Sequence, residues 1–174
     1  MDSDGYLSQL ADIFNGITVN TPSISAIIAI VLAGVLLLAS GFASASEIAF
    51  FSLSPSDRND IDERNHPSDD KISALLGDTE RLLATILITN NFVNVTIIML
   101  CNFFFMNVFV FHSPLAEFLI LTVILTFLLL LFGEIMPKIY SAQKTLTFCR
   151  FSAPGIYFLE KVFRPIATVL VRST

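Results

Sequence analysis

Three stretches of this chain contain no Asp, Glu, Lys or Arg: residues 13–46, 82–116 and 118–133. A helix needs about 20 predominantly apolar residues to cross the ~30 Å hydrocarbon layer of a bilayer, and each stretch provides roughly that. Charged residues are only 14% of the chain, against roughly 25% in an ordinary soluble domain, so a water-exposed globule would run short of polar surface. Soluble enzyme folds and nucleic-acid modules are therefore excluded, and no enzymatic role is expected. The net charge of -5 leaves no basic patch for DNA or RNA. The chain reads as an all-α membrane protein with the lipid bilayer as its first partner.

Turn and breaker residues set the boundaries. Thr21-Pro22 starts a helix and Ser54-Pro55 stops it, giving a first span over 23–53 after an N-terminal segment 1–22. The other spans are expected over 81–111 and 114–140, with a loop over 54–80. Orientation follows from Lys and Arg, which stay on the cytoplasmic side. The first segment and the turn around His112 have none, whereas Arg58, Arg64, Lys71 and Arg81 lie between the first two spans and six more follow the third. The N-terminus is predicted outside a bacterial inner membrane and the C-terminus in the cytoplasm. The N-terminal segment lacks the positive region of a secretory signal, so no cleavage is expected.

The loop also carries acids at 57, 60, 62, 63, 69, 70, 78 and 80, read chiefly as a solvated helical connector. The tail, 142–174, places Glu160, Lys161 and Arg164 where a fourth span would have its middle, at roughly 2.5–3.5 kcal/mol for each cation. Leu146, Cys149, Tyr157, Val162 and Ile166 recur at helical spacing among basic residues. That pattern predicts a cytoplasmic juxtamembrane amphipathic helical segment, broken near Pro154-Gly155 and Pro165. Cys101 and Cys149 stand far apart in no metal-binding pattern and are read as reduced structural residues.

Polar residues within spans are costly and therefore informative. Small residues around Ser40, Gly41, Ser44 and Ser46 permit close helix approach. Glu47 sits at the end of that span, beside Arg81 or Lys138. Asn90 and Asn94 are one turn apart on one face, with Asn91 pointing about 100° away. Pro137 has no N–H, so the carbonyl of Gly133, four residues back, loses its helical partner next to Glu134. Counting along the spans brings Ser44, Asn90, Asn94 and Glu134 to one depth. These ligands are all oxygens, with no His or Cys, which suits a hard cation such as Mg²⁺ or Na⁺.

The same motifs, GFASASEIAFFSLSP, TILITNNFVNV and LLFGEIMPK in this order, resemble the transmembrane domain of the CorC/CNNM (cyclin-M-like) magnesium transporter family over essentially the whole chain. The resemblance implies a homodimer with three transmembrane helices per protomer, moving Mg²⁺ out of the cytoplasm in exchange for Na⁺. It implies ion ligands at Ser44, Asn90, Asn94, Gly133 and Glu134, with Ser46, Asn91 and Pro137 as neighbours. It also implies that CBS-pair regulatory domains follow the membrane domain in the full-length protein. The motifs also resemble a gliding-motility-associated branch, so a non-transporting scaffold or accessory protein of gliding or secretion machinery is the alternative reading.

Overall fold

The computed structural model describes residues 18–110 and 114–173. Residues 1–17, the turn containing His112, and Thr174 lie outside the described residues. A short strand β1 (Thr18–Val19) leads into helix α1 (Ile24–Phe51), then α2 (Pro55–Asp62), α3 (Asp69–Leu76) and α4 (Thr79–Val108). Strand β2 (Phe109–Val110) pairs antiparallel with β1, a contact the sequence did not announce. Helix α5 (Pro114–Leu128) continues through a π-helical segment (Leu129–Ile135) into α6 (Met136–Gln143), and α7 (Thr145–Ser173) completes the chain.

Three helical stretches are long and apolar enough to cross a membrane: Ile24–Phe51, Thr79–Val108 and Glu117–Gln143. Their ends are chemically marked. The Ser23 hydroxyl accepts from the Ala26 N–H at 3.2 Å, and the Asp78 carboxylate accepts from the Arg81 N–H at 3.1 Å, each satisfying an orphan donor of a first turn. Ser54 and Asp57 form a reciprocal capping box with Pro55 in the first turn, which ends one span and starts α2 at once.

Two apolar cores stack along the bundle. In one, Ala33 of α1 meets Val93, Ile97 and Cys101 of α4 and Leu125 of α5. In the other, Ala49, Phe50 and Leu53 pack with Ile61, Ile72, Leu82 and the α7 residues Cys149, Ala153 and Ile156. Along α1 the buried positions Ala26, Ala29 and Ala33 are all small, so α4 approaches closely. Large side chains such as Leu38, Phe92, Met99 and Phe118 point outward, as a bilayer-facing surface requires.

The connector between the first two spans is more than a solvated linker. Asp69 is fully buried, and the Arg150 guanidinium donates to it through Nε at 2.9 Å and an Nη at 3.0 Å. The His66 N–H gives the same carboxylate a third bond at 3.0 Å. This bidentate clamp fixes α3 against α7.

Helix α7 corrects the expectation of breaks at Pro154 and Pro165, because it runs unbroken through both. Each proline removes one backbone bond. Around Pro154 the buried Cys149, Ala153 and Ile156 hold both sides of that gap against the bundle. Gly155 lets the helix pack closely there, since a Cβ would lie 3.0 Å from the Phe42 ring. The expected apolar stripe is also divided: Cys149 is buried with Ala153 and Ile156, whereas Phe158, Val162 and Ile166 remain exposed.

Candidate ion site

Where α1 crosses α4, two polar pairs of equal spacing face each other, Ser40 and Ser44 on one helix, Asn90 and Asn94 on the other. The Ser40 hydroxyl lies 2.9 Å from Asn90 Oδ1 and 2.6 Å from Asn94 Oδ1. Ser44 Oγ is 3.5 Å from Asn90 Oδ1. Both serines are fully buried and both asparagines half-buried. A serine hydroxyl carries one hydrogen, so Ser40 cannot satisfy both amide oxygens at once. Ser44 contributes only a long contact. The result is a compact cluster of four side-chain oxygens, donors of the kind that hard cations take.

The third wall is the π-helical segment. Its last bond runs from the Met136 N–H to the Leu131 carbonyl, five residues back. Pro137 then offers no N–H to Phe132, five back, or to Gly133, four back. The sequence foresaw the missing N–H but not the π register, which recurs at functional positions in helices. Gly133 is buried against Ser40: a Cβ there would stand 3.1 Å from the serine Oγ and 3.5 Å from Leu37. Gly41 meets the same segment, where a Cβ would lie 3.0 Å from Pro137 Cγ and 3.4 Å from the Phe132 oxygen. Two glycines, one on each partner, thus set how closely α1 and the π segment approach.

Glu134 follows Gly133, half-buried and without a hydrogen bond or ion pair among the described residues. Lys138 is not its partner, because the Lys138 ammonium pairs with Glu47 at 3.2 Å. That pair ties the ends of α1 and α6, with the Ser141 hydroxyl adding a bond to the Ala45 carbonyl at 2.7 Å. Arg81 goes instead to Asp78 at 3.1 Å and Glu160 at 3.9 Å.

Of the expected ligands, Ser44, Asn90 and Asn94 share the cluster, and Gly133 joins it through Ser40. Ser46 turns away and donates to the Phe42 carbonyl of its own helix at 2.6 Å. Asn91 is exposed on the outer side of α4. Ser40 is the residue the sequence reading passed over as a ligand. Its signal was the four-residue spacing to Ser44, which repeats that of Asn90 and Asn94. Among the described residues no three of His, Cys, Asp and Glu come together. The oxygens that meet at the crossing are those of serine hydroxyls and asparagine amides, and among the described residues no contact links the Glu134 carboxylate to them.

The model of the cyclin M transmembrane N-terminal domain matches residues 28–174. The chain belongs to the CNNM family. It is accordingly a multi-pass membrane protein, and the CNNM match takes in all three polar motifs. Among curated relatives, UPF0053 protein sll1254 of Synechocystis sp. is 26% identical over 140 residues, covering 80% of this chain and 39% of that protein. A UPF0053 protein of Haemophilus influenzae is 30% identical over 134 residues, 77% of this chain and 31% of the relative. The chain thus spans between 31% and 39% of the length of these relatives.

Proposed function

We propose that this chain is the membrane domain of a Mg²⁺ transporter, holding the ion between Ser40, Ser44, Asn90, Asn94, the Gly133 carbonyl and Glu134. The observation that carries the reading is the convergence of four side-chain oxygens at one helix crossing, with Ser40 Oγ 2.9 and 2.6 Å from the two amide oxygens and Ser44 Oγ 3.5 Å from one of them. Membership of the CNNM family supports Mg²⁺ as the cargo. In this reading Glu134 supplies the counter-charge and the neutral oxygens replace water. One carboxylate leaves a divalent ion incompletely neutralised, so it can depart as well as bind, as transport requires. Export is coupled to Na⁺ entry, two copies assemble as a homodimer in the bacterial inner membrane, and CBS-pair domains of the full-length protein regulate it. The N-terminus faces outward and α7 lies along the cytoplasmic face, in keeping with the Lys and Arg distribution.

The test is Mg²⁺ binding by calorimetry and Mg²⁺ flux from proteoliposomes under an imposed Na⁺ gradient. Wild type, Glu134→Gln and Asn94→Ala are compared. Binding and Na⁺-dependent flux in wild type, both lost in Glu134→Gln, are expected. Undiminished binding and flux in that variant would remove the site. A wild type without flux even with its regulatory domains present would favour the scaffold role.

A further inference from the structure

Beside the ion cluster, on the bilayer-facing side, an apolar cleft of about 440 Å³ opens between α1, the π segment and α7. Leu38, Gly41, Phe132, Tyr140, Phe148 and Phe151 line it. Tyr140, Phe148 and Phe151 also wall a second cleft of about 320 Å³, whose remaining lining is Lys144 and Thr147. The two hollows therefore form one groove, apolar at one end and cationic at the other. Phe132 and Lys144 are about 18 Å apart along the chain at ~1.5 Å per helical residue, so the groove runs from hydrocarbon depth to the polar boundary. Tyr140, half exposed between the two ends, is the residue type that favours that boundary.

Lys144 is the element that selects an occupant. It sits at the bend between α6 and α7, is exposed, and has no ion pair among the described residues. Lys138, one and a half turns away, is already neutralised by Glu47 at 3.2 Å. From the groove's shape and this free cation we infer a binding site for an anionic phospholipid of the surrounding bilayer. One acyl chain lies along Leu38, Phe132 and Phe151, and the phosphate sits against the Lys144 ammonium and the Thr147 hydroxyl. A zwitterionic lipid fills the apolar end equally well but leaves Lys144 less well compensated. The lipid bridges α1, the π segment and α7, the first two of which also wall the ion cluster.

The chain contains no Trp, so one introduced indole is a unique fluorophore. Phe151→Trp places it on the wall shared by both halves of the groove. Phe118→Trp, on an exposed residue of α5, reports ordinary bilayer contact. The full chain is reconstituted in phosphatidylcholine vesicles containing a minor fraction of brominated phosphatidylglycerol or brominated phosphatidylcholine. One surface cation enriches anionic lipid about fivefold. Quenching of Phe151→Trp by the brominated phosphatidylglycerol should therefore correspond to about five times its share of the bilayer. Brominated phosphatidylcholine should quench only in proportion to its share, and Phe118→Trp should respond equally to both. Adding Lys144→Gln should abolish the preference and leave quenching by phosphatidylcholine unchanged. Equal quenching by both lipids at Phe151→Trp would overturn the site, as would an absence of quenching by either, which would mean that a second copy covers the groove. Should the Lys144→Gln variant fail to fold, the comparison of the two tryptophan positions decides alone.

Discussion

Arg150→Met should release the connector from α7, and the chain carries its own reporter of that event. Asp69 is fully buried, and the Arg150 side chain, 22% exposed, is its counter-charge. Removing the guanidinium strands a carboxylate without water, a change that costs about 3–5 kcal/mol in buried pairs. Asp69→Asn instead leaves Arg150 partly solvated and near the Asp60 carbonyl at 3.5 Å, so the loss is nearer ~1.5–3 kcal/mol, that of a charge-assisted bond. The order of the two variants is therefore fixed by which partner is buried deeper. Combined in one chain, they should cost much less than the sum of the two, because the second change removes a charge already left alone by the first.

Cys149, adjacent to Arg150, reads the opening. Its burial pushes the thiol up to about 12, with the nearby Arg150 charge acting in the opposite direction. Only a thiolate attacks a maleimide, so release to an ordinary value of 9.0 raises the reactive fraction about a thousandfold. Arg150→Met takes away a charge that lowers the thiol, so the closed form becomes less reactive, and any gain in labelling reports opening. At ~1.4 kcal/mol per decade, Arg150→Met should accelerate Cys149 labelling by about two to three orders of magnitude, and Asp69→Asn by about one to two. Cys101 belongs to the other core and should label at the wild-type rate, which mass spectrometry of the two cysteine peptides resolves. Equal acceleration by both variants, or parallel labelling of Cys101, would refute the assignment of a local clamp.

Acid should undo the same clamp. Burial alone would raise the Asp69 carboxyl, but the bonds from Arg150 and the His66 N–H outweigh it and hold the group below its usual 3.8. The unfolded state then binds the proton first, so the clamp's stability is complete above about pH 4 and fades as pH falls through the lower folded value. Peptic cleavage within residues 55–76 should therefore rise as pH is lowered below about 4 in wild type, and Asp69→Asn should show no such step. Gly41→Ala places a Cβ 3.0 Å from Pro137 Cγ and should destabilise the bundle by about 1–3 kcal/mol, whereas Gly34→Ala meets nothing within 4 Å and should be neutral in the same thermal scan. Ser40→Ala should weaken Mg²⁺ binding in calorimetry by about tenfold, the equivalent of one hydrogen bond to a charged group. Ser46→Ala, whose hydroxyl serves its own helix, should bind as wild type.

The spans were legible because hydropathy and the absence of charge act locally, needing no knowledge of neighbours. The face shared by Asn90 and Asn94 was legible for the same reason, since helical geometry alone sets it. Choosing between Ser40, Ser44 and Ser46 was different. Ser40, Gly41 and Ala43–Ser46 are all buried, so small residues surround that part of α1 and no apolar face fixes its rotation. Only the packed position of α4 shows which hydroxyls turn inward. The clamp was hidden more deeply, because Asp69 and Arg150 are 81 residues apart and each reads as a surface charge in its own segment. The prolines of α7 misled because the missing bond is a local fact, while the packing that offsets it around Pro154 is tertiary.

The two glycines at the crossing explain why hydroxyls and not larger groups meet the amides. With Gly41 against Pro137 and Gly133 against Ser40, α1 and the π segment approach until an added carbon would stand 3.0–3.1 Å from its neighbour, which would have to give way. At that separation a serine can reach an amide oxygen on α4 while its Oγ stands 3.1 Å from where a Gly133 Cβ would lie. A longer polar side chain at position 40 would crowd the π segment at Gly133. Helix packing and ion coordination are thus one constraint at this point, and a change to either glycine should register in both stability and Mg²⁺ affinity.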